Sequence, residues 1–340
     1  MIRIGIICPS EIALRSFLPA LKQLSAYKFS GVAFARKDEW DDATHETISK
    51  EKEKAEIFIG QYGGELFNSY TKLIESDKID TVYLPLPPAL HYKWAKLALQ
   101  AGKHILVEKP ASISLNDTTE LIALAKQNNL AIHENYMFAF HDQLKAIEEI
   151  LQSGKIGDIR LFRISFGFPR RAANDFRYNK ALGGGALLDC GGYTIKYASM
   201  LLGKTARIVY ANSNYIRDFD VDSYGSAALV NQSGTTVQIA FGMDNCYKCD
   251  LEVWGSKGCL SSGRVLTAPE GFVPEVLIQV GNETEIRKLP ADDAFKKSIH
   301  WFRKCIENET VRKENYDEIL LQAELVDEFL AKTKYTSYEK

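Results

Sequence analysis

Between Arg3 and His133, short runs rich in β-branched and aromatic residues alternate with stretches of helical periodicity. Parallel strands joined by crossover helices produce that rhythm. Arg3 to Ile7 reads as the first strand. Ile12 to Leu24 follows as a helix, with Ile12, Phe17, Leu18, Leu21 and Leu24 apolar at near-helical spacing, and Phe29 to Phe34 is the second strand. The pattern then predicts a short helix over Ile57–Tyr62, a helix over Ser69–Ser76 and a strand at Thr81–Leu84. A helix over His91–Ala101 closed by Gly102, a strand at His104–Val107, a helix over Ser114–Gln127 and a strand at Ala131–His133 complete the series. At least five parallel strands in doubly wound order make a Rossmann-like α/β domain.

After about residue 135 the rhythm changes. A helix at His141–Ser153 is followed by long alternating runs at Ile159–Phe168, Ala206–Arg217, Gly225–Leu229, Thr235–Phe241 and Cys249–Trp254. Turns at Ser233-Gly234 and Gly255-Ser256-Lys257-Gly258 predict hairpins. The expectation is an α+β domain on a large, mostly antiparallel open sheet, with two closing helices at Ala291–Asn308 and Asn315–Lys332. A length of 340 residues suits two domains, placed at 1–125 (dinucleotide binding) and 126–340 (substrate binding and oligomerisation).

Charge and composition exclude several partners. Lys and Arg number 42 against 44 Asp and Glu, a net charge of -2, so no global field draws the chain to nucleic acid or anionic lipid. No apolar run approaches the ~18 residues of a membrane span. Met1 to Cys8 reads as a buried strand rather than a secretory signal, which predicts a cytoplasmic protein. Six scattered cysteines, at 8, 190, 246, 249, 259 and 305, predict free thiols, and Cys246-x-x-Cys249 has no second pair to complete a metal site.

A dinucleotide domain places a glycine-rich turn after its first strand, where a following helix aims its N–H groups at a pyrophosphate. In that register this chain has Cys8, Ser10 and Ala13, with Glu11 and Ile12 between them. The side chains are small, and the Ser10 hydroxyl can donate to a phosphate. The end of the second strand carries Ala35-Arg36-Lys37 in place of the acid that would hold a ribose 2′-hydroxyl, which favours NADP(H) over NAD(H). The strand at His104–Val107 delivers Glu108, Lys109 and Pro110 at its carboxyl end, where doubly wound sheets bind ligands. A second chemistry-bearing segment runs from Asp175-Phe176-Arg177-Tyr178 through Gly183-Gly184-Gly185 to Asp189 and Tyr193, the last two four residues apart and predicted to share a helical face.

The ordered set Glu108-Lys109-Pro110, Val82-Tyr83-Leu84-Pro85-Leu86-Pro87 with Leu90-His91, Glu134-Asn135-Tyr136-Met137 and Leu251-Glu252-Val253-Trp254-Gly255 resembles the Gfo/Idh/MocA oxidoreductases over nearly the whole chain. Tyr193, where many members have His, is similar to the branch of NDP-hexose 3-ketoreductases and dihydrodiol dehydrogenases. Ala139 and Asp142 depart from the Arg and Pro common in the family. The resemblance implies that Lys109 lies by the nicotinamide and the substrate oxygen, with Glu108 positioning it. It implies cofactor contacts from Cys8, Ser10, Glu11, Ile12, Arg36, Lys37, Leu84, Pro85, His91, Glu108 and Pro110, and cleft positions for Arg177, Asp189 and His141. A Tyr phenol of ordinary pKa ~10, tuned by the Lys cation, suits proton delivery to an alkoxide.

These residues predict an NADP(H)-dependent reductase acting, without a metal, on the ketone of a nucleotide-linked ketohexose in deoxysugar or glycan synthesis, with Lys109 and Tyr193 catalytic. The alternatives are an NADP-dependent dehydrogenase of a free aldose or cyclic diol, and a noncatalytic sugar or cofactor sensor on the same fold. A homodimer or homotetramer is expected, because a large open sheet face commonly meets a partner subunit.

Overall fold

The computed structural model of the chain describes residues 1–40, 43–216 and 218–335. It divides into two compact units, Met1–Asn135 with Phe295–Leu320 and Tyr136–Ala294 with Leu321–Lys340.

The first unit is built on six parallel strands: β1 (Ile2–Ile7), β2 (Tyr27–Ala33), β3 (Glu65–Phe67), β4 (Thr81–Leu84), β5 (His104–Val107) and β6 (Ile132–Glu134), in the order β3-β2-β1-β4-β5-β6. This is the doubly wound arrangement that the alternation predicts. Helices on both faces bury it, so Ile4, Ile6, Ile7, Val82, Tyr83, Leu84, Ile105, Leu106 and Val107 are all fully inaccessible, and the central strands read as unbroken apolar runs. The order reverses at β1, which pairs with both β2 and β4, and ligands bind beyond the carboxyl ends of strands at such a switch point.

The crossovers are a π-helical turn Ala13–Phe17 running into α1 (Leu18–Lys22), α2 (His45–Tyr62), α3 (Tyr70–Glu75), α4 (Pro88–Gln100) and α5 (Leu115–Gln127). Two differ from the sequence expectation. Helix α2 begins twelve residues before Ile57, capped by the Thr44 side chain, because one of its buried positions, with Ala55 and Phe58, is Glu51, which hides the apolar period. Helix α4 begins at Pro88, whose fixed φ suits a first helical turn and whose missing N–H costs nothing there. Within the same unit, Tyr27 Oη donates to the Ile299 carbonyl oxygen in α8 (Ala294–Glu307) at 2.9 Å.

The second unit carries the chain's largest sheet. Its strands are β7 (Ile159–Gly167), β8 (Arg207–Tyr215), β9 (Asp222–Val230), β10 (Thr236–Gly242), β11 (Lys248–Gly255), β12 (Gly258–Gly263), β13 (Glu275–Val280), β14 (Glu283–Lys288) and β15 (Thr333–Tyr335), in the order β14-β13-β12-β11-β7-β10-β9-β8-β15. The pairs are antiparallel except β7 with β10 and β8 with β15. The β9–β10 and β11–β12 hairpins fall at the predicted turns. Arg217, at the end of the predicted Ala206–Arg217 run, lies outside the described residues, as do 336–340. The β13–β14 hairpin was not anticipated, although Gly281-Asn282 between two β-rich runs is its turn signal.

One face of this sheet shares a core with α6 (Asp142–Gln152), α7 (Gly192–Leu202) and the end of α9 (Glu309–Lys332), through Ile147, Ile150, Ile195, Leu202, Leu325 and Phe329. The registers align Ile286, Leu277, Ser261, Glu252, Arg163, Gln238, Ala228 and Tyr210 in one row across the opposite face. Ile286 and Tyr210, at its ends, are 62% and 51% exposed. At its centre Arg163 donates to Gln238 Oε1 and pairs with Glu252.

Candidate active site

In the first unit, β1 is followed by Cys8, which adopts φ +73°, a left-handed conformation that a glycine would take at less cost. The thiol lies against Glu51 and Tyr70, and burial raises its pKa far above the ordinary range. Glu51 accepts from the Ala35 N–H at 2.8 Å and from Tyr70 Oη, so one buried carboxylate ties together the turn after β1, the end of β2 and α3. Ser10 Oγ accepts from the Ala13 N–H at 3.2 Å, which caps the following helix and leaves the hydroxyl hydrogen to donate. Glu11 is exposed and Ile12 half-buried at that helix start.

After β2, the Arg36 guanidinium pairs with Asp38 and the Lys37 Nζ donates to the Ala43 carbonyl oxygen. Glu39 turns inward. Its oxygens accept from the N–H groups of Arg36, Tyr70 and Thr71 and from the hydroxyls of Ser69 and Thr71, at 2.7 to 3.0 Å. Burial alone would push this carboxyl up, but the bonds from these groups outweigh it and hold the carboxyl below its usual value.

The carboxyl ends of β4 and β5 gather the rest of the expected cofactor set. Leu84 and Pro85 are buried, and the Glu108 N–H donates to the Leu84 carbonyl oxygen. Glu108 Oε1 accepts from Tyr83 Oη and Asn135 Nδ2, both at 2.7 Å. A chain of hydrogen bonds continues from Asn135 to Ser298, His133 and Asn315. Burial raises the Glu108 pKa against these bonds and the Lys109 charge. Lys109 follows, half-buried, and its peptide to Pro110 is cis. His91 is fully buried, with ring nitrogens 2.7 Å from the Pro110 and Leu86 carbonyl oxygens, and burial pushes its pKa down to about 4. It braces the Lys109-Pro110 turn as an uncharged ring.

In the second unit, Arg177 and Asp189 pair just ahead of α7, whose first turn carries Tyr193. Arg177 Nε donates to Asp189 Oδ2 at 2.6 Å and Nη1 to Asp175 Oδ1 at 3.1 Å. Between these partners lie the three glycines. A Cβ on Gly184 would stand 2.4 Å from the Arg177 carbonyl oxygen, and one on Gly185, at φ +121°, would stand 2.3 Å from Asp222 Oδ1. Small size is needed at both.

Tyr193 sits in the first turn of α7, directly after a π-helical turn over Leu187–Gly191. Such turns insert one residue and re-aim the side chains that follow. The Tyr193 ring is boxed by Tyr136 (5.3 Å, perpendicular), Phe138 (5.7 Å) and Phe166 (5.4 Å). Behind it, Gln322 Nε2 donates to the Gly192 carbonyl oxygen at 3.0 Å and to Tyr136 Oη at 3.2 Å. Asp222 accepts from the Leu187 N–H at 2.7 Å at the head of the same helix, and burial, against hydrogen bonds from Leu187, Ser213 and Ala186, raises its pKa to about 6. His141 is buried at the N-cap of α6, where Nδ1 accepts from the Gln143 N–H.

Sequence reasoning missed Tyr136, Gln322, Asp222, Glu39 and Glu51 as supports. Only Glu51 left a sequence trace, an acid at helical spacing from Ala55 and Phe58. Cys246 is exposed and Cys249 buried beside Thr267. Among the described residues no group of three or more His, Cys, Asp or Glu is placed to hold a metal ion, and no helix is long and apolar enough to cross a membrane.

A doubly wound dinucleotide-type domain and an open-sheet unit bearing an aromatic-boxed tyrosine define a two-unit oxidoreductase architecture. Residues 25–136 match the oxidoreductase family with NAD-binding Rossmann fold, and residues 144–261 match the GFO/IDH/MocA C-terminal domain. The chain belongs to the Gfo/Idh/MocA oxidoreductase family. A dTDP-3,4-didehydro-2,6-dideoxy-alpha-D-glucose 3-reductase of Actinomadura kijaniata is 38% identical, over 96% of this chain and 94% of that one. The crystal structure of a 3-ketoreductase from that organism, in complex with NADP and TDP-benzene, superposes with a TM-score of 0.91 at 36% identity over 99% of each chain. A D-xylose 1-dehydrogenase (NADP(+)) of Haloferax volcanii is 25% identical, over 93% of this chain and 92% of that one.

Proposed function

We propose that the protein is an NADP(H)-dependent reductase that delivers hydride to the ketone of a nucleotide-linked ketohexose in deoxysugar synthesis. The observation that carries this reading is the whole-length likeness to a dTDP-ketosugar 3-reductase. The first unit suits the cofactor: the turn after β1 has small side chains, Ser10 has a hydroxyl to give, and Arg36 stands at the end of β2 with its two-point fork. NADPH supplies the hydride when bound.

Lys109 polarises the ketone with its cation, and Glu108, fixed by Tyr83 and Asn135, positions it. Tyr193 gives its phenolic proton to the oxygen that hydride attack leaves negative, and its aromatic box limits the ring to one orientation. Arg177 and Asp189 present a paired, half-buried surface to sugar hydroxyls. His141 acts at one remove, by ordering α6.

The open sheet row, apolar at both ends and charged in the middle, suits a second copy of the chain, so the assembly is a homodimer or a pair of dimers. The cytoplasm, where nucleotide sugars are made, is its place.

Turnover of nucleotide-linked ketohexoses and free aldoses with NADPH or NADP⁺ tests the reading. Tyr193→Phe and Lys109→Ala are each expected to keep fold and NADPH binding while losing ~10²- to 10⁴-fold in kcat. Unchanged turnover in both variants would remove them from the chemistry. Preferential oxidation of a free aldose would make the chain a sugar dehydrogenase instead, and cofactor binding without any turnover would make it a sensor.

A further inference from the structure

Both cations assigned to the cofactor in the loop after β2 are already engaged. Lys37 gives its ammonium to the Ala43 carbonyl oxygen. Arg36 makes a two-point pair with Asp38, Nε to Oδ1 at 2.8 Å and Nη2 to Oδ2 at 2.5 Å. A guanidinium takes a phosphate by the same parallel pair of N–H bonds. Arg36 lowers the Asp38 pKa through this hydrogen bond, and the cation of Lys93 on α4 adds to the effect, so the carboxylate is charged at neutral pH.

The backbone beneath is fixed. Glu39 holds the Arg36 N–H at 2.9 Å and is itself held by four groups of Ser69, Tyr70 and Thr71, while Glu51 holds the Ala35 N–H. The loop therefore presents Arg36 and Asp38 outward as a preset pair, and any exchange of partner is made by side chains alone. The pair is exposed, at 49% and 66% of the two side chains, so water and salt weaken it enough for a phosphate dianion to compete.

We propose that Asp38 is a specificity-determining residue for the adenosine end of the cofactor: its carboxylate occupies the Arg36 fork, and a 2′-phosphate binds by displacing it. This rests on the reading that Arg36 receives the 2′-phosphate. Asp38 then lowers affinity for the phosphorylated cofactor while leaving the unphosphorylated one untouched, which narrows the preference that Arg36 creates. Once displaced, Asp38 adds a negative charge beside the phosphate, and Lys93 offsets part of it.

Calorimetric titration of the full chain with adenosine 2′,5′-bisphosphate and with 5′-AMP at low ionic strength tests this, using the unchanged protein, Asp38→Asn, Arg36→Ala and the double variant. The expected result is that Asp38→Asn binds the bisphosphate roughly two- to five-fold tighter, the range that an exposed ion pair spans. Its affinity for 5′-AMP is unchanged, and the gain vanishes in the Arg36→Ala background and shrinks in high salt. If Asp38→Asn binds the bisphosphate no tighter, or tightens both ligands alike, while Arg36→Ala still abolishes the preference for the bisphosphate, displacement is refuted and the role of Arg36 stands. If the unchanged protein does not prefer the bisphosphate, or Arg36→Ala leaves that preference intact, both the role of Arg36 and the displacement fail.

Discussion

Gln322 reaches from α9 to the two groups that frame Tyr193, and replacing it with methionine isolates what that reach is worth. Methionine has similar length and bulk and no amide. The change removes two buried bonds, to the Gly192 carbonyl oxygen at 3.0 Å and to Tyr136 Oη at 3.2 Å, at a net ~0.5–1.5 kcal/mol each. It also removes Gln322 Oε1, which is buried without a hydrogen-bond partner and whose burial costs about 1 kcal/mol. The balance is a loss of about 0–2 kcal/mol, a small effect on stability. The effect on Tyr193 is expected to be larger, because Tyr136, freed from the amide, is the perpendicular wall of its box. Urea denaturation and steady-state kinetics together read both. The expectation is a kcat reduced by about tenfold, equal to ~1.4 kcal/mol of lost orientation, with the KM for NADPH unchanged. A variant with unaltered kcat, or one in which kcat falls only in step with the folded fraction, would refute the claim that Gln322 orients the tyrosine.

Two further expectations concern the same helix start. Asp222 has a folded pKa near 6, above the ordinary carboxylate value of 3.8, so its ionised form destabilises the native state above pH 6 and the penalty fades as pH falls toward 3.8. Between pH 7 and pH 5 the unchanged protein should gain about 1.3 kcal/mol relative to Asp222→Asn, measured as the difference of their urea unfolding energies, and a difference independent of pH would contradict the assignment. Gly184→Ala places a Cβ against the rigid Arg177 carbonyl, and a loss of about 1–3 kcal/mol in the same measurement is expected; a neutral result would mean that the loop can yield.

The central strands of the first unit were legible because both their faces are buried, which writes them as apolar runs between glycine and proline stops, whereas the short edge strand β3, with Glu65 exposed and Leu66 half-buried, carries no such run and was missed. Thr81–Leu84 and His104–Val107 fall where the sequence put them. The places of Glu108 and Lys109 after β5, and of Tyr193 at the start of α7, were legible from such signals beside them. What the sequence concealed is polar and interior. Glu39, Asp222 and Gln322 have no periodicity of their own, and their partners lie up to 186 residues away. The π-helical turn before Tyr193 is equally silent, since no residue pattern over Leu187–Gly191 distinguishes it from an ordinary helical start. Cys8 in a left-handed conformation breaks the expected glycine pattern, and the carboxylate behind it is what the pattern could not indicate.

The knot that Glu39 ties between the end of β2 and the start of α3 separates frame from message. Five donors converge on one carboxylate inside, while the side chains at 36 and 38 point out. Substitutions at the two outer positions can therefore rewrite the ligand preference without loosening the fold, whereas a change at Glu39 would undo both at once. A descendant chain is free to drift toward another cofactor through single surface exchanges, and an engineer has the same route.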